Sequence, residues 1–152
     1  MNKLTLVFSL IFILSFSVKS QSNSFFVQSE SKYSIEETIE IIKTEAAETG
    51  WKVPIVHELH KSVAKAGYHV LPVFVIEVCN PELAGQVLSK INLRVITPLM
   101  PIRFSVWESE EGKVMISRMN QDLIGQMLEG EDKDLVLKSC SSADDLLKDV
   151  LK

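Results

Sequence analysis

The sequence has no Gly-rich phosphate loop, no Gly-x-Ser-x-Gly elbow, no His-Glu-x-x-His helix and no Cys-x-x-Cys pair. Those absences remove the local signatures of phosphate-loop enzymes, α/β-hydrolases, zinc peptidases and dithiol oxidoreductases. Positive charge is also short: 16 Lys and Arg against 20 Asp and Glu leave a formal net charge of −4. A nucleic-acid binder needs a basic stripe to displace counterions, so that class is set aside. There are no internal repeats, no low-complexity stretch and no linker that would separate two domains. Histidine and cysteine are few, at three and two residues. In an oxidising compartment the two cysteines could pair, stay free or link subunits, and spacing alone does not choose.

What is present begins with an address. Met1-Asn2-Lys3 supplies a positive start, and residues 4–16 form an apolar run broken only by Thr5, Ser9 and Ser15. Val18-Lys19-Ser20 then offers a small-residue cleavage site ahead of Gln21, completing the layout of a secretory signal peptide. The run is shorter than the roughly 20 residues a bilayer span takes. No cysteine follows it, so a lipid-anchored form has no support. The expectation is a leader over residues 1–20 and one exported domain over residues 21–152, periplasmic or secreted, with no transmembrane segment after cleavage. Hydrophobic residues make up 46% and charged residues 24%, the balance of a chain that buries a core.

Residues 25–31 read as a first strand. Ser34 and Glu37 form a capping box, in which the hydroxyl takes a backbone N–H and the glutamate reaches back. Ile35, Ile39, Ile42 and Ala46 recur at helical spacing until Gly50 stops the helix. Residues 51–57 predict a second strand, with Pro54 pointing to an edge or a bulge. Residues 59–66 predict a short helix ended by Gly67, and residues 70–79 the most apolar strand, placed centrally. Asn80 and Pro81 open a helix to Lys90 with Leu83, Val87 and Leu88 inward. Residues 102–107 alternate, and Glu110-Glu111-Gly112-Lys113 turn them back into residues 114–117 as a hairpin. Strict alternation cannot place both Phe104 and Trp107 in the core, so one of them faces the other side or an interface. Asn120 caps a helix through Leu128, and a last helix starts near Ser141-Ser142 with Leu146, Leu147, Val150 and Leu151 as its stripe. The sum is an α+β fold, a single-layer, mostly antiparallel sheet with helices packed on one face.

One stretch carries chemistry beyond packing. The apolar strand delivers Cys79 to the point where Asn80 caps a helix and Pro81 opens it. The dipole and free N–H groups of a helix start favour a thiolate. Three readings of Cys79 stand side by side: a small buried hydrophobe, a reactive or ligating thiol, and a disulfide with Cys140. Asn80 and Pro81 read either as a cap alone or as the start of an anion site. Arg103 and Arg118, on the two hairpin strands, and Arg94 before them are candidates to hold an acidic ligand, or else pair with carboxylates. His57 and His60, with Cys79, form a candidate metal set. Met100, Met115 or Met119 as further sulfur donors would suit copper. The acidic pairs Glu36-Glu37 and Asp144-Asp145 are read as first-turn helix residues explained by the dipole.

From the first strand to the last helix, the expected mature chain resembles the DUF302 family. The likeness rests on Tyr33-Ser34-Ile35-Glu36-Glu37-Thr38, Gly50-Trp51-Lys52-Val53 and His57-Glu58-Leu59-His60-Lys61-Ser62. It continues through Val75-Ile76-Glu77-Val78-Cys79-Asn80-Pro81-Glu82-Leu83-Ala84, Glu111-Gly112-Lys113-Val114 and Met119-Asn120. The resemblance implies a compact sheet-and-helix domain, usually paired as a homodimer, and implies no mechanism or cofactor. Relatives in the cysteine-bearing branch often place a second cysteine just after the proline of the hairpin's first strand, where this chain has Ile102. Two functions follow as expectations. The favoured one is a non-enzymatic exported binding module, a homodimer holding a small ligand, metal ion or partner protein near Cys79. The alternative is a thiol-dependent redox protein working through Cys79.

Overall fold

The computed structural model describes residues 24–152, so the leader expected at residues 1–20 lies outside the described residues. Strand β1 (Phe26–Glu30) leads into helix α1 (Ile35–Glu48). The capping box forms as expected: the Glu37 N–H donates to Ser34 Oγ at 3.3 Å and the Ser34 N–H to Glu37 Oε2 at 3.1 Å. Then come β2 (Val56–Glu58), α2 (Leu59–Ala64), β3 (Val73–Val78) and α3 (Pro81–Ser89). A 3-10 segment (Ile91–Leu99) leads to the hairpin β4 (Ile102–Glu108) and β5 (Val114–Met119). Gly112 takes a φ of +73° in its turn, a conformation that L side chains rarely adopt. Helices α4 (Gln121–Gly125) and α5 (Gly130–Asp144) and a closing 3-10 turn (Asp145–Leu147) complete the chain.

The strands form one sheet in the order β1-β5-β4-β3-β2, with every neighbouring pair antiparallel. Because strand side chains alternate between faces, Ile76 and Val78, Phe104 and Val106, and Ile116 fall on one face, where all five are fully buried. Ile35, Ile39, Ile42 and Ala46 of α1 pack against them, joined by Ala143, Leu146, Leu147 and Val150 from the end of the chain. Burying each large aliphatic side chain of this kind contributes about 1.5–3 kcal/mol. Phe104 is in this core and Trp107 is not, as strict alternation requires. A second, smaller cluster sits beyond one end of the sheet, where Val87, Leu93, Ile124 and Val136 are buried together. The α+β architecture is as expected, and the sheet is antiparallel throughout.

Several local expectations are corrected. The second strand covers Val56–Glu58 alone; Pro54 has no N–H for a ladder, and Lys52 keeps only an isolated bridge to Cys79. The middle position of the sheet belongs to β4, with β3 between β4 and the short β2. Leu88 is exposed while Val87 is buried, so α3 turns its inner face toward Leu83 and Val87. Residues 91–99, which include Arg94 and precede the hairpin, are a 3-10 segment. The helix after Asn120 ends at Gly125. The last α-helix begins at Gly130, so Asp144 stands at its C-terminal end and Asp145 is its C-cap, and neither lies in its first turn; Asp145 instead opens the closing 3-10 turn.

Candidate functional site

The end of β3 is held firmly. Cys79 and Lys52 exchange two backbone hydrogen bonds, 2.9 Å from the Cys79 N–H and 2.8 Å from the Lys52 N–H. Asn80 then caps α3, its Oδ1 accepting from the N–H groups of Glu82 at 3.0 Å and Leu83 at 3.1 Å. Pro81 is the first helical residue, where its missing N–H costs nothing. The cap therefore uses the donors that an anion at this helix start would need.

Beside this junction lies an apolar cavity of about 70 Å³. One wall is Cys79, Asn80 and the inner face of α3 at Leu83, Ala84 and Val87. Another is Met100-Pro101-Ile102, which enters β4 through a cis Met100–Pro101 peptide, together with Met119 at the end of β5. The third is α5, which presents Val136, Ser139 and Cys140. Ser139 turns its hydroxyl to the Leu135 carbonyl at 3.0 Å, and Asn80 is occupied by its cap. With both polar side chains satisfied locally, the lining is carbon and sulfur. Met100, Met119 and Cys140 also pack against the smaller core cluster, so the cavity is continuous with the packed interior.

Both cysteines border this one cavity and both are free thiols, so the disulfide weighed above is not formed. Burial pushes the Cys140 thiol up to about 11, with the Asp144 carboxylate one helical turn away adding to the shift. A thiol in that environment is a poor nucleophile at neutral pH.

The other candidates are placed elsewhere. Arg103 lies opposite Glu77 across the β3–β4 ladder and donates from Nε to Glu77 Oε1 at 3.1 Å. His57 Nε2 is 3.4 Å from the same oxygen. The Arg103 guanidinium, with His57 adding, holds the Glu77 carboxyl below the usual carboxylate range. Arg118 donates from Nε to Asp144 Oδ2 at 3.0 Å, while its Nη1 is buried with no partner among the described residues. The two arginines are thus committed to separate carboxylates and form no shared clamp. His60 packs its ring on Phe74, with centroids 4.9 Å apart, and its Nδ1 lies 3.0 Å from the Val73 carbonyl oxygen. Neither His57 nor His60 borders the cavity that Cys79 lines. Among the described residues no three His, Cys, Asp or Glu side chains converge as a metal cluster.

On the sheet's opposite face runs a shallow groove of about 270 Å³, bordered by Val75, Arg103, Ser105 and Ser117 and by Pro98 and Pro101 at one end. Met119 borders both groove and cavity. The sequence points to Met100 and Met119 as sulfur donors beside Cys79 together with His57 and His60, which lie elsewhere, and to Cys140 as a disulfide partner; it does not point to the helix that carries Cys140. The available signal was Val136, Cys140 and Ala143 at a helical spacing. Among the described residues no helix is long and apolar enough to cross a membrane.

Fold and site together define an α+β domain: an antiparallel sheet, helices on one face, and a sulfur-bordered apolar cavity at one sheet end. Residues 27–152 match the family "Domain of unknown function DUF302". The chain belongs to the DUF302 family. A similar solved structure is that of an uncharacterised conserved DUF302 protein from Bacillus stearothermophilus, with a TM-score of 0.72 at 20% identity. The likeness covers 82% of this chain and 97% of that one, and at such identity it speaks for the fold. No curated protein matches the chain.

Proposed function

We propose that the protein is a non-enzymatic binding module, exported and homodimeric, that seats a small ligand in the cavity beside Cys79. The observation that carries this reading is the cavity itself, which is apolar, continuous with the core and bordered by both thiols. Arg103 and Arg118 are each paired with a carboxylate and stand outside the cavity lining. At about 70 Å³ it is far below the roughly 300–1,000 Å³ of sites for drug-sized molecules, so the occupant is small. Pairing of two copies is supported by the sheet face turned away from the helices, where Val75, Ser105 and Ser117 border a groove. The leader-like residues 1–20 support export.

Native mass spectrometry of the protein purified without reductant or chelator tests this reading, with Ala84→Phe as a variant that fills the cavity from α3. A dimer with extra mass that Ala84→Phe removes is the expected result. Bare polypeptide mass in both proteins would overturn the binding reading. A deficit of about 2 Da per chain would favour the thiol-redox alternative, with Cys140 as the partner of Cys79.

A further inference from the structure

This inference rests on the reading of the cavity as a binding site and names its ligand class. The sequence contains two cysteines and five methionines, and both cysteines and two of the methionines border this one cavity. They arrive from four separate places: Cys79 after β3, Met100 before β4, Met119 at the end of β5 and Cys140 on α5. Packing apolar atoms would not require sulfur at all four. The oxygen-bearing side chains alongside are withdrawn, because Asn80 Oδ1 holds the first turn of α3 and Ser139 Oγ donates to the Leu135 carbonyl. No imidazole borders the cavity. The ligating atoms left for an occupant are therefore thiol and thioether sulfur.

We propose that the cavity is a site for one soft monovalent metal ion, copper(I), held by Cys79 and Cys140 with thioether support from Met100 and Met119. Two thiols supplemented by thioether sulfur suit such an ion, whereas structural zinc sites are closed by four thiolate or imidazole ligands and calcium and magnesium demand oxygen. Binding is a ligand exchange without redox chemistry. Each thiol that becomes a thiolate ligand releases one proton to solvent as its sulfur–metal bond forms. The set is distinct from the His57, His60 and Cys79 grouping, which the fold does not assemble.

Silver(I) is a redox-inert probe of the same softness. The reduced, chelator-treated protein is titrated with silver nitrate in chloride-free buffer, with heat and native mass as readouts. One ion per chain is expected. Cys79→Ser and Cys140→Ser should each lose the one-to-one complex, Met100→Leu and Met119→Leu should weaken it, and His57→Ala should leave it unchanged. The leucine variants nearly conserve volume, so they probe the site even if a serine variant folds poorly. Retention of full binding by Cys140→Ser or by both leucine variants would overturn the shared site. Zinc(II) binding as tightly as silver(I) would overturn the softness that defines it. An organic adduct in the native spectrum with no silver uptake would sink the metal assignment and leave the binding reading standing. No adduct and no silver uptake would remove both.

Discussion

The ion pair between Arg118 and Asp144 ties β5 to α5 and bears on the chain's stability. Replacing Arg118 with Met keeps much of the aliphatic stem and removes the guanidinium. The Asp144 carboxylate then stays in its half-buried place without the Nε–H that approaches it at 3.0 Å. Removing one partner of a fully buried pair costs about 3–5 kcal/mol, and exposed pairs are worth about 0–1 kcal/mol. The two side chains retain 17% and 27% of their exposure, which places this pair between those limits. The expected cost is about 1.5–3 kcal/mol at pH 7, the range for stranding a buried charged partner discounted for residual solvent. Asp144→Asn should cost less, because the amide oxygen can still accept from the Arg118 Nε–H and the burial that disfavours the Asp144 negative charge no longer acts. The double variant should fall short of the sum of the singles by about 1 kcal/mol or more.

The pH dependence gives a second readout. Burial raises the Asp144 carboxyl above its ordinary value, and Arg118 only partly offsets this. A raised carboxyl contributes stability below its unfolded value of about 3.9 and loses it as pH rises through the folded value. Without Arg118 the folded value climbs further, so the deficit of Arg118→Met is largest near neutrality and shrinks as pH falls into the acid range. Equilibrium urea denaturation at a series of pH values measures this. Strict additivity in the double variant, or a deficit that does not vary with pH, would refute the pairing energetics described here.

Two further outcomes are expected. Asn80→Ala should lower stability by about 1 kcal/mol through loss of the α3 cap, with Asn80→Asp close to the native protein, both read by urea denaturation. Ile42→Ala, at a fully buried position of α1, should cost about 2–5 kcal/mol, while Leu88→Ala on the exposed side of α3 should change stability by about 0.5 kcal/mol or less in thermal melts.

What the sequence disclosed was whatever is encoded within a few residues. Ser34 with Glu37, Asn80 with Pro81, and Gly112 between two alternating runs each specify a local geometry by their own hydrogen bonds or allowed φ, and each reappears in the fold. Misreadings fell where packing outweighs local preference. Helix α5 opens with Glu131, Asp132, Lys133 and Asp134 and has an inner stripe of Val136, Cys140 and Ala143, too thin to stand out. Residues 91–99 contain Pro98, which reads as a loop but is accommodated in a 3-10 segment. The cavity could not be read at all, because residues 79, 100, 119 and 140 meet only once the tertiary fold brings their elements together. Cys79 could be singled out from its neighbours, and Met100, Met119 and Cys140 could be named as candidate companions from their chemistry, but not told apart from His57, His60 and Met115, which border no part of the cavity.

The first strand is finished by the last residues. Ser31 bridges Leu151, the Lys32 N–H donates to the Val150 carbonyl at 2.9 Å, and the Lys152 N–H to the Glu30 carbonyl at 3.1 Å. Leu146, Leu147 and Val150 fill the core between α1 and the sheet. During synthesis, β1 and α1 emerge roughly a hundred residues before the segment that covers them, and loop closure over that distance precedes any gain from the contact. An unfinished chain therefore carries an apolar face with nothing to lie on it. The core is completed only when residues 143–152 reach β1 and α1, so its contacts span long sequence separations, the kind of topology in which folding is slowed.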